Sequence, residues 1–277
     1  MSIKIIADSS CDLNDELKRT LNIDIAPLVL QLGDKSFVDD DTLDVEAYVK
    51  AMAQSETAPK TACPSPDDYM KRYAGSESTF VVTLSNVLSG SYNSAVLAKN
   101  LFLEEAQNKF IHVFDSLSAS VGETLVVLRI NELAKLNLGD VEIVDKVTSY
   151  IKDMKTLFLL ESLDHLAKAG RLNHIVAKIA SMFSITAIMG GDKGHIKLVE
   201  KVRGYKRAFI RLIDTIGEEG KNLEDKILGI AHCNCLDRAL QLKEEALKRY
   251  NFKDIIIVEM RGLSSSYADN GGIVIAF

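Results

Sequence analysis

Apolar and polar positions along this chain follow two rhythms. Short apolar runs bounded by polar turns predict buried strands, and the stretches between them carry the spacing of amphipathic helices. IKIIADSS reads as a strand followed by the helix LNDELKRTLN, TFVVTLSN as a strand followed by YNSAVLAKNLFLEEA, and FIHVFDS as a strand followed by the long apolar helix VGETLVVLRINELAKL. This order predicts parallel strands flanked by helices. VEIVDKVTSYIKDM adds an amphipathic helix and TLFLLES a strand. The pattern then changes. LDHLAKAG and HIVAKIASMF are helical, TAIMGGDKGHIKLVEKVRG is a hairpin turning around residues 190–194, and YKRAFIRLIDTIG is a helix. ILGIAHC, LDRALQLKEEALKRYN and DIIIVEMRG give strand, helix and strand, and GGIVIAF closes the chain as a strand. The expected fold class is α/β. An N-terminal domain over residues 1–160 holds an open, mostly parallel sheet flanked by helices, and a C-terminal α+β domain covers 161–277. No proline- or glycine-rich linker separates them, so the two are expected to pack tightly.

Composition agrees with two cores, because 277 residues at 47% apolar content exceed what one ordinary domain needs. Thirty-three basic against 39 acidic side chains leave a net charge of −6, and only 6% of residues are aromatic. Without an arginine-rich run, no nucleic acid partner is expected. The N-terminus enters a strand pattern directly, and no segment reaches the roughly 18 uninterrupted apolar residues of a membrane span. A cytoplasmic protein that does not span a membrane is expected. Four cysteines are too few for a disulfide framework, and HCNC at 232–235 lacks the second pair that a metal site needs.

Ligands of open parallel sheets bind beyond the carboxyl ends of the strands. That rule selects DSSCD at 8–12, SNVLSGSYNSA at 85–95 and DSLSAS at 115–120, each rich in hydroxyls and small side chains able to receive an anion at a helix start. KTACPSP at 60–66 holds two of the four prolines. Ser65 suits an N-cap, Pro66 the first helical position, and Asp67 and Asp68 the positive helix end; Thr61 is left without a structural reason. The chain has no GxxxxGK(S/T) loop, no GxGxxG after a strand, no HExxH and no GxSxG elbow. Ser89 sits near a helix start as a nucleophile does, although no base is designated. A small-molecule hydrolase, or an acyl or phosphoryl transferase, using Ser89 is the alternative reading. The acidic run VDDDTLD at 38–44 reads as a solvated loop.

DSSCDL, the T-x-x-P-S of TACPS, the LSGSYNSA stretch, the DS after the third strand, LAKAGR, KVRG at 201–204 and the glycine-containing C-terminus occur in the order typical of the DegV family. The whole chain resembles a member of that family. The resemblance implies a two-domain protein that binds one long-chain fatty acid, of about fourteen to eighteen carbons, in a buried tunnel. It further implies a non-catalytic subunit that needs no cofactor and presents the acyl carboxylate to a separate ATP-dependent fatty acid kinase subunit in phospholipid metabolism. In such proteins the carboxylate meets the threonine of T-x-x-P-S, the serine of L-S-G, the arginine of G-R and a histidine near the C-terminus. The first three correspond to Thr61, Ser89 and Arg171. At the histidine position this chain has Tyr267, which donates a hydrogen bond but adds no positive charge, so a weaker hold on the anion is expected. VGETLVVLRI and HIVAKIASMFSITAIM are candidate tunnel walls, and the basic stretch KVRGYKR at 201–207 is the candidate kinase-docking patch.

Overall fold

The first apolar run becomes strand β1 (Ile3–Asp8), followed by helix α1 (Asp15–Leu21), which Asn14 starts by accepting the amide of Leu17. The computed structural model describes residues 3–75, 78–106, 109–172 and 185–277. Strand β1 pairs in parallel with β2 (Ile23–Ala26) on one side and with β6 (Ser78–Thr83) on the other, and β7 (Phe110–Asp115) pairs with the far side of β6; the sheet order is β2-β1-β6-β7. β6 is buried at all its positions, as befits a central strand covered on both faces. On one face, Tyr69 of helix α3 (Pro66–Met70), Tyr73 beyond it, and Ala95 and Ala98 of α4 (Ser91–Glu105) pack on Ile6 and Val81. The opposite face carries α5 (Val121–Ala134) and α6 (Asp140–Asp153), with Val126, Ile130 and Ile143 against Ile5 and Phe80.

The second sheet has the order β10-β9-β8-β13-β11-β12. Its strands are β8 (Thr156–Leu159), β9 (Ile185–Asp192), β10 (His195–Arg203), β11 (Ile227–His232), β12 (Asp254–Glu259) and β13 (Ile273–Ala276). Among the described residues of this sheet only β11 and β12 pair in parallel. Helices α8 (Tyr205–Glu219) and α9 (Leu236–Arg249) cover its outer face through Phe209, Leu212 and Leu242. The chain passes from the first sheet to the second along α5 and α6. Helix α5 touches β1 and β6 on one side and β11 and β13 on the other. A helix held between two sheets is apolar around most of its circumference, and Val121 to Val127 are all buried. Its close approach depends on Gly229 of β11, where a Cβ would fall 2.5 Å from a Val121 methyl.

This position corrects the expectation that VGETLVVLRI walls a tunnel. Those residues fill the core between the sheets instead. The other candidate wall lies outside the described residues over 174–184.

A third, antiparallel sheet of order β4-β3-β5 has no counterpart in the apolar rhythm. Its strands β3 (Val29–Leu32), β4 (Lys35–Val38) and β5 (Lys60–Ala62) are three or four residues long, too short to show a period. Helices α2 (Val45–Ala53), α7 (Asp164–Lys168) and α10 (Gly262–Ala268) stand close by, with α10 packed on both of the others. The acidic run 38–44 is likewise more than a solvated loop. Asp39 is fully buried and accepts the amides of Gly262 and Leu263 at 3.0 and 2.9 Å, capping α10. Asp44 caps α2 through the amide of Ala47, and Asp41 pairs with Lys18 and Arg261.

Candidate functional site

The three hydroxyl-rich turns converge on one cavity of about 360 Å³, inside the roughly 300–1,000 Å³ range of small-molecule sites. Much of the wall is apolar, with Leu84 and Leu88 after β6, Leu117 after β7, Phe158 on β8, Ile196 on β10 and Leu263 on α10. Thr61, Ser89, Arg171 and Tyr267 all line it as well. Four residues spread over two hundred positions of sequence are thus brought to one space.

Thr61 lies on β5 opposite Leu30 of β3. The chain beyond it is fixed by a capping box. Ser65 Oγ accepts the Asp68 amide at 3.2 Å, Asp68 Oδ2 accepts the Ser65 amide at 2.9 Å, and Pro66 opens the helix. Ser94 Oγ of α4 donates to Pro64 O at 2.6 Å, tying the loop to the first sheet. With its strand end held on both sides, the Thr61 hydroxyl meets the Tyr267 hydroxyl at 2.7 Å. Ser89 sits in a turn closed by the amides of Leu88 and Ser89, both donating to Ser85 O, and its own Oγ accepts the Ser91 amide at 3.2 Å. Arg171 follows Gly170, whose φ of +78° ends the α7 turn in the left-handed region. The Arg171 Nε donates to Leu88 O at 3.2 Å and its Nη1 donates to Ala169 O, so the guanidinium is seated on the Ser89 turn. Three hydroxyls and a cation lining a largely apolar cavity suit a molecule with one anionic end and a long apolar body.

Behind the wall lies a cluster of buried carboxyls. Asp8 accepts from the Ser10 and Leu84 amides and from Ser91 Oγ at 3.1, 3.0 and 2.5 Å, yet full burial pushes its pKa up to about 6. Asp12, accepting the Arg261 amide at 2.7 Å and Ser120 Oγ at 2.6 Å, is pushed by burial to about 7. Glu123 of α5 is fully buried, and burial together with the neighbouring Asp8 charge holds its carboxyl well above the usual range. These groups join β1, α5 and α10, and they explain most of DSSCD; of that stretch only Ser10 reaches the cavity. From the other two turns, Ser89, Gly90, Leu117, Ser118 and Ser120 line it. Sequence reasoning missed His195 and Ser264, which also line the cavity. The hairpin glycines offered a signal for the first; the second sits in a helix that SSSYADN did not announce. Among the described residues no group of three or more side chains is placed to hold a metal ion, and no helix is long and apolar enough to cross a membrane.

Known proteins share this architecture along its whole length. A DegV domain-containing protein of Streptococcus gordonii is 36% identical over 280 residues, covering 100% of this chain and 99% of its own. A DegV-family crystal structure from Ruminococcus gnavus, described with vaccenic acid, matches at 43% identity and a TM-score of 0.97 with full coverage of both chains. The Fatty Acid Kinase (Fak) B3 protein of Streptococcus pneumoniae, loaded with linoleic acid, matches at 35% identity and a TM-score of 0.91, covering 100% of this chain and 99% of that one. A family model described as an uncharacterised protein of the DegV family spans residues 2–277. Matched by that family model over nearly its whole length, and by relatives more than 30% identical along the entire chain, the chain belongs to the DegV family.

Proposed function

We propose that this protein binds one long-chain fatty acid in the cavity, its carboxylate held by Thr61, Ser89, Arg171 and Tyr267, and presents that carboxylate to a separate kinase subunit without performing chemistry itself. The observation that carries the reading is that these four residues line a single cavity with largely apolar walls. Energetics favour it. A sixteen-carbon tail buries about fourteen methylenes, each contributing roughly 0.8 kcal/mol, on the order of 11 kcal/mol before ordering costs. Taking the carboxylate out of water offsets several kcal/mol of this unless donors and a cation meet it. The relatives described with vaccenic and linoleic acids, one of them a fatty acid kinase protein, support both the ligand class and the kinase partner. Arg203, Lys206 and Arg207 are exposed around the start of α8 and form the proposed docking patch.

The hydrolase reading gains nothing from the geometry, since Ser89 Oγ is engaged as an acceptor for the Ser91 amide in a tight turn. The deciding experiment extracts purified protein with organic solvent and weighs the extract by mass spectrometry. About one equivalent of a fatty acid per chain is expected. A lipid-free extract, coupled with Ser89-dependent burst kinetics on an activated ester, would reverse the assignment.

A further inference from the structure

Four segments bring the head-group residues to the cavity: β5 carries Thr61, the turn after β6 carries Ser89, the end of α7 leads to Arg171, and α10 carries Tyr267. Hydrogen bonds tie these segments to one another. Thr61 Oγ1 meets the Tyr267 hydroxyl at 2.7 Å, joining β5 to α10. Arg171 Nε donates to Leu88 O at 3.2 Å, joining the α7 end to the Ser89 turn. Ser94 Oγ donates to Pro64 O at 2.6 Å, joining α4, which starts just after that turn, back to the segment following β5. One link, between α10 and α7, closes the circuit. His165 of α7 supplies it, with Nδ1 3.0 Å from Ser266 O. A carbonyl oxygen only accepts, so Nδ1 carries the proton and donates.

Ser266 O needs a donor from outside its own helix, because the last carbonyls of a helix have no partner within it. The amide four residues on, that of Asn270, donates to Asp269 Oδ1 at 2.8 Å, and the Gly271 amide donates to Cys233 O at 2.9 Å. The chain thus leaves α10 without returning to Ser266, and an imidazole from α7 takes the place, a group well suited to the negative end of a helix. The acceptor adjoins Tyr267, and the donor stands six residues before Arg171. His165 is absent from the cavity wall, so it acts through these neighbours. We propose that His165 is a positioning residue for the carboxylate: by closing the circuit it fixes Tyr267 relative to Arg171, so that hydroxyl and guanidinium meet the same anion. The role rests on the fatty-acid reading and deepens it, since it concerns the hold on the head group and not on the tail. Hydrogen bonds weaken steeply with misalignment, whereas burial of methylenes is non-directional.

The test titrates delipidated protein with palmitic acid and with hexadecanol, in the parent and in three variants. His165→Phe keeps a ring and removes the donor. His165→Asn places its amide nitrogen where Nδ1 stood, and His165→Gln places it where Nε2 stood. His165→Phe and His165→Gln should each weaken the acid about fivefold to tenfold and the alcohol less than about twofold, while His165→Asn recovers most of the loss. The alcohol also reports that each variant is folded, and the contrast of His165→Asn with His165→Gln decides the matter alone if His165→Phe does not fold. In an Arg171→Leu background, His165→Phe should cost the acid less than about twofold, because the group it positions is gone. A purely structural role predicts equal losses for acid and alcohol, no difference between His165→Asn and His165→Gln, and the same loss with or without Arg171. Any of these results overturns the assignment while fatty-acid binding stands. If the parent protein binds neither ligand, the carrier reading itself fails and the role of His165 with it.

Discussion

Replacing Arg171 by leucine removes the one cation proposed to face the carboxylate while keeping a side chain of comparable bulk. The size of the effect follows from where the group sits. Arg171, Ser89, Thr61 and Tyr267 are each only partly buried, so the anion keeps some solvation and the penalty for an uncompensated fully buried charge does not apply. A charge-assisted hydrogen bond contributes about 1.5–3 kcal/mol, which corresponds to roughly 10- to 150-fold in affinity. Part of any loss will come from scaffolding, because Nε and Nη1 also hold Leu88 O and Ala169 O. Two controls separate the contributions. The fatty alcohol of the same chain length has no charge to lose, so its affinity reports only the scaffold, and Arg171→Lys keeps the charge but not the planar fork. The assay is titration of delipidated protein with a fluorescent fatty acid, competed by palmitic acid and by hexadecanol. The expected result is a large loss for the acid, a loss under about threefold for the alcohol, and an intermediate value for the lysine variant. Equal losses for acid and alcohol would show that Arg171 acts as a strut, and the head-group assignment would have to be abandoned.

Other consequences can be checked alongside. Tyr267→Phe removes the partner of Thr61 at 2.7 Å and should weaken fatty acid binding by about 1 kcal/mol, near fivefold; unchanged affinity would remove Tyr267 from the site. Tyr267→His should bind acid more tightly as pH falls through about 6.5, since the protonated ring adds a cation, and its affinity should rise more steeply than that of the parent protein, whose cavity already holds His195. Asp12 has a folded pKa of about 7 against 3.8 ordinarily, so the folded state holds the extra proton between these values. Its contribution to stability is therefore complete below pH 4 and lost as pH rises through 7, a span of ~4 kcal/mol. Asp12→Asn should flatten that part of the urea-unfolding profile, and parallel profiles for the two proteins would contradict the assignment. Asp39→Ala leaves the Gly262 and Leu263 amides without their buried acceptor; a loss of about 2 kcal/mol or more in urea unfolding is expected, together with weaker ligand binding because α10 carries Tyr267.

Several features of the molecule are written locally in the chain. Strands β1, β6 and β7 of the first sheet with their helices, the hairpin at 185–203 and the last strand follow from apolar periods long enough to recognise, whereas the four-residue edge strand β2 does not. The helix start at Ser65 and Pro66 is legible because its signals lie within four residues, and the structure adds the reciprocal bond from Asp68 that completes a capping box. The candidate head-group residues were reached through the order of family motifs, not through periodicity, which says nothing about Thr61. Tertiary structure decided the rest. Strands of three or four residues form only because neighbours offer them edges, as β5 gains β3. Asp39 looked like a solvated charge because no local pattern shows that a helix start more than two hundred residues away will need its carboxylate. Helix α5 was recognisable as buried but not as filler between two sheets, since an apolar circumference is the same whether it faces a ligand or a second core. Local interactions set which segments are helix or strand. Burial and hydrogen bonds between distant segments determine which of their surfaces remain free to meet a ligand.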